Sequence, residues 1–414
     1  MKSDLDILMQ QYALDAILVL GSATHNPPMY YLTGGGHISN AFLIKKPGET
    51  GVIFCNDMER EEAARSGLEV IPLGKYPWQE MLQQAGGDSA RMAAMRLKQM
   101  FADCGLTRGK VGLYGHTDVS STLAMLTHFR QLAPEIEIIG EPRDRSLVML
   151  AMETKDEDEV ARIRQMGRIT TEVVRRVADD LTTRPIRDDQ VLVKEDGTPL
   201  TVADVKSRIK LWLAELGADN PEGCIFAIGR DAGIPHSAGT PTDWIRLGQT
   251  IVFDIYPCEA GGGYYYDFTR TWSLGYASPQ AQALYDQVKS VYERVIASLR
   301  VNTPFKEYQR LVCEEFEKMG HPTLLTVSAP LEGYVHSVGH GLGLNVHERP
   351  WSGLTAEEEN RLRPGVVFTI EPGLYYPDQG LGVRIEDTYW VRPDGVIEKL
   401  ADYPYDFVLQ MKQS

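Results

Sequence analysis

Two histidines in the segment SVGHGLGLNVHERP, residues 337–350, are the first candidates for chemistry in this chain. His340 and His347 lie seven residues apart, and glycines at positions 339, 341 and 343 alternate with His340 and Leu342. Glycine leaves little side-chain bulk, so the backbone can approach another group closely or adopt φ > 0. A histidine between two glycines contributes almost nothing to core packing. We therefore expect His340 to face a ligand or a metal, the alternative being a hydrogen-bonded histidine in a glycine-rich loop.

Four acidic residues in apolar strand patterns are the second set of candidates. Asp254 follows the run IVF and Glu371 follows VVFTI, while Asp267 and Glu386 lie on the partner arms of the same two predicted hairpins. Successive side chains of a strand alternate faces, so an acid in such a run points into a core or a cleft. A buried carboxylate must be paired, protonated or bound to a metal. One such acid is often a structural ion pair, but four mutually repelling carboxylates favour bound cations.

Four carboxylates and one imidazole suit two divalent ions that share carboxylate oxygens. A ligand set rich in oxygen, with one nitrogen and no sulfur, favours manganese, cobalt, iron or zinc and does not decide among them. Two such ions would bring the pKa of a bridging water close to neutrality and polarise a carbonyl group. The residues therefore indicate a hydrolase that acts on an amide or an ester.

The elements that must position these residues lie in the second of two predicted domains. Strand hairpins are predicted at 250–257 with 264–272 and at 366–376 with 381–393. A strand at 224–229 leads into a loop that carries His236. Apolar residues at three- and four-residue spacing predict a long helix with Thr154 as its N-cap. Further helices are predicted at 202–216, 279–299 and 305–319.

The first domain alternates short apolar strands with amphipathic helices, which is typical of an α/β unit with a buried sheet. We predict strands at 15–20, 40–46, 51–56, 68–73, 110–115 and 135–140, and helices at 59–65, 91–104 and 120–132. The alternation ends near residue 141, and the boundary is placed at 152. The two predicted domains are therefore residues 1–152 and 153–414.

Composition limits the function further. A chain of 414 residues favours two domains, and a net charge of −15 argues against a general nucleic-acid binder. The start lacks the pattern of a signal peptide, and no apolar run approaches the roughly 20 residues that span a bilayer. The five scattered cysteines lack CxxC spacing, so we expect reduced thiols in a cytoplasmic protein that does not bind membranes.

Taken together, the motifs resemble the pita-bread metallopeptidases, in the branch of Xaa-Pro dipeptidases (prolidases) and aminopeptidase P. The resemblance rests on VFDIYP, GGGYYYDFTRTW, SVGHGLGLNVHERP, FTIEPGLYY and GVRIED in the family's order, with MYYLTGG near the start. It implies an α+β fold, in which a pita-bread catalytic domain follows a smaller α/β domain of the creatinase type. It also implies a homodimer and two divalent ions, for which we expect manganese, with cobalt or zinc as alternatives.

Carried over position by position, the resemblance implies distinct roles for the site residues. The implied metal ligands are Asp254, Asp267, His340, Glu371 and Glu386, with Asp267 and Glu386 shared by both ions. Glu371 would also relay the proton of the attacking water. His347 would stabilise the tetrahedral intermediate, and His236 would contact the substrate near the scissile bond. His336 and Arg384 would be further substrate-binding residues, and Arg384 could neutralise excess carboxylate charge.

Two departures from the family pattern concern the substrate pocket. The hairpin between Asp254 and Asp267 is longer than the family's usual one. Glu357 stands where prolidases place an arginine that holds the substrate carboxylate. Arg349, Arg361 or Arg363 could replace it; otherwise the carboxylate is recognised differently, or the substrate is not a dipeptide.

We therefore predict metal-dependent hydrolysis of peptide bonds that precede proline, with Xaa-Pro dipeptides as substrates. The first alternative is an aminopeptidase P that acts on longer Xaa-Pro peptides. The second is a non-peptidase or non-catalytic relative of the family. A metal-free relative, such as a creatinase-type amidinohydrolase, typically lacks some of the five ligands.

Overall fold

The computed structural model describes residues 4–412, which fall into two compact units. The first unit runs to Met152 and includes residues 261–263, and the second contains the rest of the chain from Glu153 onwards. Within residues 4–412, no helix is both long and apolar enough to cross a membrane. All five cysteines are free thiols, as predicted.

The first unit is built on one sheet whose six strands are those predicted. They are β1 (Ala16–Gly21), β2 (Ala41–Lys45), β3 (Val52–Cys55), β4 (Glu69–Pro72), β5 (Gly109–His116) and β6 (Ile136–Ile139). Their order is β4-β3-β2-β1-β5-β6, and β1 pairs antiparallel with β2 and parallel with β5. Every residue of β1 is buried, which explains its continuous apolar run.

The helices of this unit were only partly predictable. They are α1 (Leu5–Gln11), α2 (Pro27–Thr33), α3 (Arg60–Ala64), α4 (Trp78–Gln84), α5 (Ser89–Asp103), α6 (Val119–Leu132) and α7 (Leu147–Glu153). The sequence predicts α3, α5 and α6 but not α1, α2, α4 and α7, which have seven residues each. Two turns of helix carry too few apolar repeats to show a period.

The second unit begins with the long helix α8 (Glu157–Thr182), but the predicted N-cap is wrong. Asp156, not Thr154, caps it: the Asp156 carboxylate accepts from the backbone of Glu159, whose carboxylate accepts from the backbone of Asp156. Thr154 instead forms a β-bridge with Val366. The other helices are α9 (Val202–Glu215), α10 (Pro279–Ser298) and α11 (Lys306–Lys318), as predicted.

Two sheets form the centre of the second unit. One has the order β19-β11-β9-β8 and consists of β8 (Cys224–Ile228), β9 (Thr250–Ile255), β11 (Phe268–Leu274) and β19 (Val408–Leu409). The other has the order β13-β12-β14-β17-β18 and consists of β12 (His340–Gly341), β13 (Glu348–Trp351), β14 (Val367–Ile370), β17 (Asp387–Val391) and β18 (Ile397–Lys399). Two strand pairs complete the unit: β7 (Ala218–Asp219) with β10 (Cys258–Glu259), and β15 (Gly373–Tyr376) with β16 (Leu381–Arg384).

The two predicted strands at 366–376 and 381–393 are each broken at a glutamate. The first divides into β14 and β15 at Glu371, where the following Pro372 has no amide hydrogen for a continuous ladder. The second divides into β16 and β17 at Glu386, whose amide donates to the carbonyl of Thr269 in β11 at 3.1 Å. A bridge between Thr269 and Glu386 therefore joins the two sheets where the acids lie. Similarly, the predicted strand at 264–272 is regular only from Phe268.

Candidate metal centre

The five predicted metal ligands lie where the two sheets meet. Asp254 is within β9, and Asp267 directly precedes β11, the antiparallel partner of β9. His340 opens β12, Glu371 directly follows β14, and Glu386 directly precedes β17. Each carboxylate thus lies near the end of a strand whose register is set by its neighbours.

Three of the five residues form the tightest cluster. Ligand atoms of Asp267, His340 and Glu386 all lie within 4.8 Å of one another, and all three residues are buried. Glu371 joins them through His340, because its Oε1 lies 3.4 Å from Nε2 of the imidazole. Asp254 is outside the three-residue cluster, although its charge adds to the effect of burial in raising the pKa of Asp267 and of Glu371.

Within residues 4–412, the hydrogen bond of the His340 ring engages Nδ1, and Nε2 faces carboxylates. Its Nδ1 lies 3.0 Å from the carbonyl oxygen of Gly341, which can only accept, so Nδ1 carries the hydrogen. Burial lowers the pKa of His340 to about 3, so the ring is neutral and Nε2 presents a lone pair. That lone pair faces Oδ2 of Asp267 at 3.6 Å and Oε1 of Glu371 at 3.4 Å. Three electron-rich atoms in this arrangement repel one another unless protons or a cation lie between them.

Two carboxylate oxygens of the site also lack donors. Within the described part of the chain, Oδ1 of Asp254 and Oε1 of Glu386 are buried without a hydrogen-bond partner. Buried acceptors without a partner are uncommon and costly. Carboxylate oxygens together with an imidazole nitrogen are the donor set of a divalent transition-metal ion, so the residues fit such an ion.

The raised pKa values of the carboxyl groups agree with a site that holds a cation. Burial, followed by the charges of Asp254 and Glu371, raises the pKa of Asp267 well above its usual value. Burial and the charge of Asp267 do the same for the pKa of Glu386. Burial raises the pKa of Glu371 to about 8, against the opposing charge of Arg384. Protein groups alone therefore do not stabilise the ionised cluster, whereas cations would.

Two of the motif glycines permit the close approach that their spacing predicts. A Cβ on Gly339 would lie 2.0 Å from the carbonyl oxygen of Thr369, and one on Gly341 would lie 1.8 Å from that of Arg349. Neither glycine has a positive φ, so their role is contact and not an unusual backbone angle. They allow β12 to lie between β13 and β14 and so fix His340.

The three other predicted histidines differ in their surroundings. His347 is exposed, and its ring centroid lies 4.3 Å from that of His340. His236 is also exposed, in the loop after β8. His336 has both ring nitrogens engaged, Nδ1 at 2.7 Å from the carbonyl of Ser337 and Nε2 at 2.8 Å from the hydroxyl of Tyr375. The predicted substrate contact of His336 would therefore compete with an internal hydrogen bond.

Tyr375 is a site residue that the sequence analysis missed. Its hydroxyl, buried with the rest of the side chain, accepts from Nη1 of Arg384 at 2.7 Å and so can donate to Nε2 of His336. Nη2 of Arg384 lies 2.5 Å from Oδ2 of Asp254, in the role of charge neutralisation predicted for this arginine. Strand register could have indicated Tyr375 as a neighbour of Arg384. Gly373 pairs with Arg384, and Tyr375 lies two residues further along the same strand as Gly373.

The arginines proposed to hold a substrate carboxylate have other partners. Nε of Arg349 donates to Glu153 at 2.9 Å, and Arg363 lies 3.1 Å from the same carboxylate. Arg361 donates to the carbonyl of Asn302 at 2.8 Å. The structure therefore favours none of the three as the anchor.

Comparison with known proteins identifies the family. The model of metallopeptidase family M24 matches residues 161–393, more than half of the chain, including all five predicted ligands. The chain belongs to metallopeptidase family M24. It is accordingly a metallopeptidase, and membership of the family implies a divalent metal.

Relatives of this M24 chain span nearly its whole length. The Xaa-Pro dipeptidase of Pyrococcus horikoshii is 25% identical over 391 residues, which cover 94% of this chain and 93% of the relative. The solved Xaa-Pro dipeptidase of Bacillus anthracis superposes with a TM-score of 0.74 at 19% identity, covering 98% of both chains. The X-Pro aminopeptidase of Thermotoga maritima gives 0.72 at 21% identity, covering 96% of this chain and 99% of that one. These likenesses confirm the predicted fold, a pita-bread catalytic domain preceded by an α/β domain.

Proposed function

We propose that this M24 chain is a dinuclear metal-dependent peptidase that cleaves Xaa-Pro dipeptides. The observation that carries the proposal is Nε2 of His340 facing the carboxylates of Asp267 and Glu371. The partnerless oxygens of Asp254 and Glu386 support it. These five residues would hold the two ions, with manganese as the proposed metal.

When bound, the two ions would supply the Lewis acidity that polarises the scissile carbonyl and acidifies water. Glu371 would accept a proton from the attacking water and return it to the leaving proline nitrogen. Its side chain is suited to this exchange because it is partly accessible, 16% exposed. His347, exposed beside His340, would donate a hydrogen bond to the oxyanion of the tetrahedral intermediate.

Arg384 and His236 would act on the same substrate from another side. Arg384 holds the carboxylate of Asp254 and also donates to the carbonyl of Pro235 at 3.4 Å. It therefore links a proposed metal ligand to the loop that carries His236. His236, exposed in that loop, would contact the substrate near the scissile bond. We revise the proposed role of His336 from direct substrate binding to support of Tyr375.

Substrate length separates the two leading activities. The likeness to the aminopeptidase of Thermotoga maritima is comparable to the likeness to the dipeptidases, so aminopeptidase P is the second candidate. The test is incubation of the purified protein with Mn²⁺ and either an Xaa-Pro dipeptide or an Xaa-Pro-Yaa tripeptide, with release of the first residue as readout. We expect cleavage of the dipeptide. Cleavage of the tripeptide alone would overturn the dipeptidase proposal, and cleavage of neither would overturn both.

Metal analysis of two histidine variants tests the ligand assignment. His340→Ala should lose bound metal, because it removes the only proposed nitrogen ligand. His347→Ala should keep the metal and lose turnover by on the order of 100- to 1000-fold, the usual effect of removing an oxyanion donor. Full metal content in both variants would show that the ligand assignment is wrong. The predicted homodimer and the choice of manganese stay predictions.

A further inference from the structure

A buried ion pair lies beside His347 and outside the proposed metal centre. Nζ of Lys155 is 2.8 Å from Oε2 of Glu348, and the two side chains are 2% and 0% exposed. The other carboxylate oxygen, Oε1, accepts hydrogen bonds from the backbone and side-chain nitrogens of Asn345, at 2.9 and 3.1 Å. Glu348 thus joins the start of the second unit to the turn between β12 and β13, and it directly follows His347.

Gly343 provides the space for this ion pair. A Cβ at this position would lie 2.4 Å from Oε2 of Glu348 and 2.9 Å from Nζ of Lys155. The amide of Gly343 also donates to the carbonyl of Asn345 at 3.1 Å, which closes the turn. The third glycine of the motif therefore serves the ion pair, whereas Gly339 and Gly341 serve the strand of His340.

The same turn determines where His347 points. Val346 and Glu348, its two neighbours, are 4% and 0% exposed, while His347 itself is exposed. With both neighbours buried, the backbone between them has little freedom. The imidazole is thereby directed towards His340, at the centroid separation of 4.3 Å.

We propose that the Lys155–Glu348 pair is a positioning device that holds His347 ready for the substrate carbonyl. A buried ion pair is a poor source of net stability, because the cost of desolvating two charges offsets their attraction. Its position beside a substrate-facing histidine gives it a geometric role instead. This inference rests on the catalytic role proposed for His347.

A spectroscopic test examines the position of His347 directly. In protein labelled with ¹⁵N-histidine, the His347 ring resonance is assigned, among nine histidines, by its loss in His347→Ala. The double variant Lys155→Met/Glu348→Leu removes both charges together, so the fold need not lose stability. We expect the His347 resonance to shift or broaden in this variant. An unchanged resonance would overturn the proposal.

A matched control removes a charge from an ion pair elsewhere in the same unit. Asp180 of helix α8 is 13% exposed and pairs at 2.6 Å with Arg184, which lies two residues beyond the end of the helix. Asp180→Asn should leave the His347 resonance and turnover unchanged. If it moved the resonance as much as the double variant does, the effect would be general loosening, and the proposal would fail.

Kinetic measurements are a second test of the positioning role. Glu348→Gln keeps the side-chain volume, and we expect kcat to fall on the order of 10- to 100-fold, with KM and metal content unchanged, as for a misplaced catalytic group. In the His347→Ala background the same substitution should have almost no further effect. An equal loss of kcat in both backgrounds, or a loss of metal, would overturn the proposal. If the wild-type protein cleaved neither peptide, the proposed function would fail, and the spectroscopic comparison would still decide the positioning role.

Discussion

Glu386 and Asp387 are neighbours in the chain, and both are buried, yet their surroundings are opposite. Oδ1 of Asp387 accepts from Nη2 of Arg270 at 2.9 Å, and Oδ2 accepts from the hydroxyl groups of Tyr405, at 2.6 Å, and Tyr292. Both carboxylate oxygens of Asp387 therefore accept hydrogen bonds from protein donors.

Glu386 has no comparable set of donors. Its Oε2 accepts from the hydroxyl of Thr269 at 2.8 Å, while Oε1 has no hydrogen-bond partner within residues 4–412. Its pKa is raised well above the usual value by burial and by the charge of Asp267. A buried acid with a complete donor set is part of the scaffold, whereas one without it needs a proton or a bound cation.

Their positions in the chain and their partners show how two adjacent acids come to differ. Glu386 lies at the break just before β17, where its side chain meets Thr269, whereas Asp387 opens the strand and meets Arg270 and two tyrosine hydroxyl groups. Arg270 connects the two sides, because its Nη1 donates to the backbone carbonyls of Thr269 and Glu386, each at 2.9 Å. One face of this junction is thus rigidly hydrogen-bonded, and it supports the other face, where the proposed ligands meet.

Removing the charge of Glu386 should have the largest effect on activity. Glu386→Gln should lose bound metal and reduce kcat/KM on the order of 1000-fold or more, because the metal supplies several kcal/mol of transition-state stabilisation. The unfolding free energy of the metal-free variant should equal or exceed that of the metal-free wild type, because one of several repelling charges is gone. Metal analysis, kinetics and denaturant unfolding measure the three quantities. Retention of both metals with normal turnover would contradict the contrast between the two acids.

Removing the charge of Asp387 should instead reduce stability. Asp387→Asn leaves the guanidinium of Arg270 buried without its counter-charge, which typically costs about 3–5 kcal/mol. Denaturant unfolding of the metal-free protein, compared with Glu386→Gln, measures this cost without the contribution of bound metal. If Asp387→Asn lowered the unfolding free energy less than Glu386→Gln does, the comparison would be reversed. The scaffold would then not depend on the Arg270–Asp387 pair.

The identity of the candidate ligands could be predicted from the sequence, because it depends on local patterns. Asp254 and Glu371 each interrupt an apolar run, and His340 lies between two glycines, so residue type and position already indicate a site. The order of these motifs along the chain then indicates the pita-bread family, and the family model confirms that membership.

Contacts between distant segments could not be predicted in the same way. The breaks at Glu371 and Glu386 depend on where two sheets meet, which no local period records. Arg349 and Arg363 both pair with Glu153, which lies about two hundred residues earlier in the chain. Even the N-cap at Asp156 required knowing that Thr154 forms a bridge with Val366.

The stability of the metal-free protein should depend on pH because of the carboxyl cluster. In the folded protein burial raises the pKa of Glu371 from 4.5 to about 8, and the pKa values of Asp267 and Glu386 are raised as well. A raised folded-state pKa contributes stability that is fully present below the unfolded value and is lost as pH rises through the folded value. The unfolding free energy of chelator-treated protein should therefore fall between about pH 4.5 and pH 8.

Added Mn²⁺ should flatten this pH profile, because a cation takes the place of the protons. Glu371→Gln, studied without metal, should reduce the slope, because one titrating group is gone. The profile with Mn²⁺ and the profile of metal-free Glu371→Gln are each measured by thermal or denaturant unfolding at several pH values. A metal-free protein that became more stable over this pH range would show that the cluster is compensated by protein groups, as Asp387 is.

The smallest effect is expected at Tyr375, which supports Arg384, the arginine that contacts the proposed ligand Asp254. Tyr375→Phe removes the hydroxyl between Nη1 of Arg384 and Nε2 of His336, at 2.7 and 2.8 Å. The hydroxyl makes two buried hydrogen bonds, and each partner left buried without one costs about 1–3 kcal/mol. Because Nη2 of Arg384 keeps its contact with Asp254, the metal should be retained. We expect turnover to fall about ten-fold, which corresponds to about 1.4 kcal/mol. Loss of metal in Tyr375→Phe would mean that Arg384 needs the tyrosine to hold Asp254, and the proposed centre would then depend on protein donors much as Asp387 does.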